Sequence, residues 1–181
     1  MDLVRSNRTL AACTTTLRKA SRDPANRQEL SELDESAVDM DTVKARWLKD
    51  YGAKQTALKS PDALLVIRDT VYLIEFKAGR SKNVKAHEIR EKMLSAILVL
   101  SDLTGQTCQQ MRRSIECVYV QASKDGIGRH VRVKAKTVNT ADDMTDQVEG
   151  LNDCEGALFR RLHVLRPRDF DSFIRKQLHG I

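Results

Sequence analysis

The polar and apolar positions along the chain change period several times. Leu10, Cys13 and Leu17 hint at a first helix. Asp23-Pro24 then offers an N-cap followed by Pro at the first helical position. Leu30, Leu33, Ala37 and Met40 recur at helical spacing, and Val43, Trp47 and Tyr51 follow at intervals of four before Gly52. The pattern predicts one long helix over Pro24–Tyr51, or two abutting ones. Ala63–Arg68 (ALLVIR) and Val71–Phe76 (VYLIEF) are near-continuous apolar runs rich in β-branched and aromatic residues. Only Asp69-Thr70 separates them, so they read as a hairpin whose strands are covered on both faces.

Further on, Ile89, Met93, Ala96, Ile97 and Leu100 form one stripe of a helix expected over Val84–Leu103. Ile115–Gln121 reads as a strand. His130–Lys136 reads as a charged edge strand, Asp142–Leu151 as an acidic helix, and Phe159–Leu165 as a strand. Pro167 opens a last helix with Phe170, Phe173, Ile174 and Leu178 facing inward. Helix, hairpin, helix, strands and helix make an α/β domain with a mixed sheet flanked by helices. Residues 1–40 are expected to be an N-terminal helical extension to a domain spanning 41–181, the whole forming one compact unit of 181 residues.

Composition narrows the classes. At 41% hydrophobic and 31% charged residues, with no apolar run near membrane-spanning length, the chain is expected to be soluble, with no membrane partner. Arg5 and Arg8 lie in an N-terminal stretch that has no apolar signal region, so a cytoplasmic location is expected. Cys13, Cys108, Cys117 and Cys154 are far apart and form no CxxC, which favours free thiols. The net charge of +6 suits a polyanionic partner. Six acids and no base lie between Ala141 and Gly156, whereas Arg112–Lys136 carries seven bases against two acids. No P-loop, zinc spacing or nucleophile elbow occurs.

Candidate chemistry concentrates in Pro61–Lys77. Glu75 and Lys77 are separated by Phe76, so strand alternation places both on one face. A hairpin brings the start of its first strand beside the end of its second, which makes Asp62 a neighbour of Glu75. A buried charge is costly unless paired or metal-bound. Two close carboxylates suit a hard divalent cation. The plainer alternative is a surface ion pair between Glu75 and Lys77, worth about 1 kcal/mol at most. At a loop-to-strand junction, Asp62 is expected to matter little for stability.

Pro61-Asp62 followed by Glu75-Phe76-Lys77 resembles the signature of the PD-(D/E)XK nuclease superfamily. The resemblance covers about Asp41–Gln121. It implies a restriction-endonuclease-like αβββαβ core and Mg²⁺- or Mn²⁺-dependent hydrolysis of phosphodiesters, usually in DNA, with RNA left open. By this resemblance Asp62, Glu75 and the carbonyl of Phe76 would be metal ligands and Lys77 the catalytic lysine. An additional acid would come from the preceding helix, where Glu32 is preferred over Glu35. The Gln-x-x-x-Tyr pattern of RecB-like members is absent. Glu88, Glu91, Lys92 and Ser95 stand at the matching places. Arg80, Lys82 and Lys85, with Arg112 and Arg113, are candidates for phosphate contact. Nucleases of this size commonly pair as homodimers, although no heptad marks an interface. The alternative function is a catalytically silent module of the same fold that binds nucleic acid or a protein partner, for example in phage defence.

Overall fold

Two antiparallel strands joined by a two-residue turn form the centre of the protein. In the computed structural model, which describes residues 3–23, 28–78, 86–122 and 150–180, Ala63 pairs with Ile74 and Ile67 with Thr70. The turn is therefore Arg68-Asp69, one residue earlier than expected. In chain order the elements are α1 (Arg8–Ala11), β1 (Thr14–Thr16), α2 (Leu17–Ala20), β2 (Arg22–Asp23), β3 (Gln28–Glu29), β4 (Ser36–Asp39) and α3 (Met40–Asp50). They continue with β5 (Ala63–Ile67), β6 (Thr70–Ala78), α4 (Ala86–Thr104), α5 (Cys108–Ser114), β7 (Ile115–Ala122), β8 (Arg161–Leu165) and α6 (Pro167–His179).

Among the described residues the main sheet has six strands in the order β1-β4-β5-β6-β7-β8. It is antiparallel from β1 to β6 and parallel from β6 to β8. Alternation along β5 and β6 divides their side chains between two cores. Leu64, Val71 and Leu73 face α4, packing with Met93, Ala96, Ile97 and Leu100. Leu65, Ile67, Tyr72 and Ile74 face α6, packing with Phe170 and Ile174. This double cover explains why both strands read as unbroken apolar runs.

Of the helix expected over Pro24–Tyr51, the described residues 28–51 are helical only in α3. Its start is set by Asp39, whose Oδ1 accepts the N–H of Thr42 at 3.1 Å. Upstream, Ala37 and Val38 are buried in strand β4, so the helical spacing of Leu33, Ala37 and Met40 is coincidental. The described residues of 1–40 likewise mix two four-residue helices, α1 and α2, with strands β1 to β4 in place of a purely helical extension. Thr14, Thr15 and Thr16 pair with β4 as the edge of the main sheet, as suits a β-branched run. The segment is also fastened to distant elements. Ser31 Oγ donates to Asp171 of α6 at 2.6 Å, and Asn7 Nδ2 donates to the Leu103 carbonyl at 2.6 Å.

Helix α5 lies where the apolar periodicity predicts no element. It starts with a capping box between Thr107 and Gln110, a signal present in the sequence as Thr-x-x-Gln. The expected strand over His130–Lys136 lies outside the described residues, as does all but the end of the expected acidic helix over Asp142–Leu151. The four cysteines are free thiols, with Cys13, Cys117 and Cys154 buried. Among the described residues no helix is long and apolar enough to cross a membrane.

Candidate active site

Register and alternation bring Asp62 and Glu75 together. Asp62 immediately precedes Ala63, the partner of Ile74, and its N–H donates to the Ile74 carbonyl at 3.0 Å. Its Oδ2 accepts the N–H of Phe76 at 2.6 Å. Asp62 shares parity with Leu64, and Glu75 with Leu73, so both carboxylates lie on the α4 face. Lys77 follows on that face one step closer to solvent and is exposed, whereas Glu75 is 6% exposed. Phe76 turns the other way and meets the ring of Phe170 edge-on, with 5.2 Å between centroids.

A cavity of about 280 Å³ opens over this end of the hairpin. Asp62, Glu75, Phe76, Lys77 and Lys92 line it from the sheet and α4. Arg22, Asp23 and Leu30 line it from the β2–β3 ribbon and the residue after it. The N-terminal segment therefore supplies one wall of the site. A second concavity of about 310 Å³ lies between Val4, Arg5, Val38 and Leu64, and among the described residues Arg5 is its only charged lining residue.

Electrostatics in the first cavity are dominated by enclosed negative charge. Burial and the neighbouring Asp62 push Glu75 up to about 8, against the pull of Lys92. Burial pushes Asp62 up to about 6, against Lys92 and the Phe76 N–H. Lys92 reaches in from α4 and donates to both carboxylate oxygens of Glu75, at 2.6 and 2.7 Å. Its own burial favours the neutral amine, but the charges of Glu75 and Asp62 outweigh that and raise its pKa. Tyr119 sits opposite Glu75 in the ladder and donates to Gln121 Oε1 at 2.6 Å. Burial pushes the Tyr119 hydroxyl far up, with Glu75 and Asp62 adding to it.

The helix preceding the hairpin does bring an acid, but not the expected one. Glu32 and Glu35 are not helical and do not line the cavity: Glu32 is exposed, and Glu35 contributes its backbone carbonyl to the Leu17 N–H. Asp41, in the first turn of α3, lies within electrostatic reach of Asp62 and Lys92. Burial opposes its ionisation, but hydrogen bonds from Lys44 and Ser60 outweigh that and hold its carboxyl below the usual range.

Lys92 is a partner of the acids that the motif does not include. Its signal was a charged residue three positions from Ile89 and four from Ala96, at the border of the buried stripe of α4. Arg112 and Arg113 do not join the site. Helix α5 leads into Ile115, which pairs with Val71, so these arginines lie at the opposite end of β6 from Lys77. Arg112 donates to the Ala157 carbonyl at 2.8 Å. Arg80, Lys82 and Lys85 lie outside the described residues.

Among the described residues, no three His, Cys, Asp or Glu side chains are grouped to hold a metal ion. The donor set is instead a pair of carboxylates sharing an enclosed site, each made harder to ionise by that enclosure. Such a pair fits Mg²⁺ or Mn²⁺. These ions take hard oxygen ligands, and Mg²⁺ typically uses one or two carboxylates and keeps several waters. No family model, curated protein or solved structure matches this chain.

Proposed function

We propose that this protein is a divalent-metal-dependent nuclease that hydrolyses phosphodiester bonds of DNA. The observation that carries this reading is the convergence of Asp62, Glu75 and Lys77 at one end of a buried hairpin, on one face and in one cavity. Support for the restriction-endonuclease-like fold comes from β4, β5, β6, α4 and β7: three antiparallel strands, a helix, and a strand parallel to the third. Helix α3 lies between the first two of these strands, where the implied αβββαβ order has none.

Asp62 and Glu75, with the Phe76 carbonyl, would hold Mg²⁺ or Mn²⁺, which supplies a Lewis acid and lowers the pKa of a bound water. The Phe76 N–H fixes the Asp62 carboxylate, leaving its other oxygen to point elsewhere. Lys77 places a compact positive charge at the cavity mouth, suited to orient the attacking water or to stabilise charge developing on the phosphoryl oxygens. In hydrolysis the water oxygen bonds to phosphorus, the bond to the leaving sugar oxygen breaks, and that oxygen gains a proton. The net charge of +6 favours a polyanionic substrate.

A second reading, a nuclease-fold module without turnover, is favoured by one specific observation: Lys92 occupies both oxygens of Glu75. The discriminating experiment incubates the protein with plasmid and single-stranded DNA, with and without Mn²⁺. Metal-dependent cleavage lost in Glu75→Gln supports the nuclease. A mobility shift with no cleavage under any divalent metal supports the silent module.

A further inference from the structure

The position of Lys92 has a consequence for how the site is loaded. Its ammonium lies against Glu75, and both carboxylate oxygens are engaged at 2.6 and 2.7 Å. The pair is shielded, with side chains 22% and 8% exposed for Lys92 and Glu75. Other charges near it are Asp62 just before β5, Lys77 from β6, Asp41 from α3 and Lys59, with Arg22 and Asp23 lining the same cavity. Asp62 already has one oxygen on the Phe76 N–H. The oxygens of Glu75 are thus committed before any cation arrives.

We propose that Lys92 is a resident counter-ion that holds the cation position between Glu75 and Asp62 and must withdraw for a divalent ion to bind. The inference rests on the metal-site reading above. An enclosed carboxylate pair without a positive charge is destabilised by mutual repulsion and lost hydration. An ammonium from a packed helix supplies that charge and keeps the hairpin end assembled without metal. A divalent ion supplies twice the charge, so it can replace the ammonium. Lys92 has a long, flexible stem at the edge of the buried stripe of α4. Asp41, exposed in the first turn of α3, already lies within electrostatic reach of Lys92. Loading is then an exchange of one cation for another, and apparent metal affinity is lowered by the free energy of breaking the ion pair.

The test measures Mn²⁺ binding to the whole protein by titration calorimetry. Lys92→Met keeps the apolar stem and removes the competing charge. It should bind Mn²⁺ at least about tenfold more tightly than wild type, as follows if the wild-type site is free of the ammonium no more than about a tenth of the time. Lys92→Gln, which retains a hydrogen-bond donor for Glu75, should bind more tightly as well and serves where the Met variant folds poorly. Glu75→Gln should abolish binding in every background. In the wild-type protein, reductive methylation of Lys92 followed by peptide mass spectrometry should accelerate when Mg²⁺ is added.

Equal or weaker Mn²⁺ binding in both Lys92 variants overturns the exchange. So does a methylation rate unchanged or slowed by Mg²⁺. Cleavage by a wild-type protein whose Lys92 variants bind no more tightly removes the latch and leaves the nuclease. Tighter binding in the variants, with no cleavage by any form, keeps the latch and removes the nuclease. Absence of Mn²⁺ binding in every form removes both.

Discussion

Asp62 closes the open end of the central hairpin by accepting the Phe76 N–H at 2.6 Å. Together with the Asp62 N–H to Ile74 carbonyl bond at 3.0 Å, this staples the chain where β5 begins. The residue is therefore structural as well as a candidate ligand, contrary to the expectation that it matters little for stability. Asp62→Ala should lower the unfolding free energy by about 1–3 kcal/mol, because it strands a partly buried N–H. Asp62→Asn keeps an amide oxygen for that bond and should unfold within about 1 kcal/mol of wild type. Both should lose the Mn²⁺-dependent rise in Tm. Urea denaturation separates the two effects, and identical midpoints for Ala and Asn would show that the staple contributes nothing.

At the other end of the sheet, Glu116 and His163 are both buried on the α6 face. Glu116 accepts from Arg160 at 2.6 Å and meets His163 Nε2 at 2.8 Å. Burial opposes its ionisation, but the hydrogen bonds from His163 and Arg160 outweigh that and lower its pKa below 4.5. A depressed folded-state pKa contributes stability that is present above 4.5 and lost as pH falls through the folded value. Glu116→Gln should cost about 1–3 kcal/mol at neutral pH, the range for weakening charge-assisted hydrogen bonds at a buried carboxylate. It should also flatten the acid side of the stability profile. A variant as stable as wild type at pH 7, with an unchanged acid limb, contradicts this account.

The hairpin and its acids were legible in the sequence because strand alternation and turn length are local rules. Asp62, Glu75 and Lys77 needed only those rules to be placed. The first forty residues were not legible in the same way. Leu33 and Ala37 imitate helical spacing, yet Ala37 pairs with Thr15 in the sheet, and the neighbouring Ser31 is held by Asp171 of α6, contacts that no local period encodes. The same limit hid the role of Lys92. Its charge beside a buried stripe was visible, but its partner lies on another element seventeen positions earlier. The charge of Arg112 and Arg113 carries no position, and only the parallel register of β6 and β7 shows that they sit at the far end.

Arg68, in the two-residue turn of the hairpin, has φ of +56°. A side chain with a Cβ is strained there, at roughly 1–2 kcal/mol, and glycine is not. Arg68→Gly removes that strain but adds freedom to the unfolded chain, worth roughly 0.4–1 kcal/mol. The net expectation is a gain of about 0.5–1 kcal/mol in unfolding free energy. Arg68→Val, with a branched Cβ, should be destabilised. A Gly variant less stable than wild type in urea would show that the arginine side chain contributes contacts that outweigh its strain.

Lys77 separates turnover from binding most sharply, because it and Lys92 share one cavity but face it differently. Lys92 is committed to Glu75, whereas Lys77 stands exposed at the mouth, where a scissile phosphate and its attacking water would lie. If the protein is a nuclease, removing Lys77 should act on the transition state. Lys77→Ala should lower the cleavage rate at least about a hundredfold, the scale for losing one positioned electrostatic or proton-transfer group. DNA affinity should change far less, because phosphate contacts are shared among many bases. Lys77→Arg should fail as well, since a planar guanidinium with a very high pKa cannot replace a compact ammonium. Single-turnover cleavage with Mn²⁺, run beside a DNA-binding assay, measures both quantities. A Lys77→Arg protein that cuts as fast as wild type would reduce Lys77 to a generic positive charge. Equal losses of affinity and rate in Lys77→Ala would place it in ground-state binding instead of catalysis.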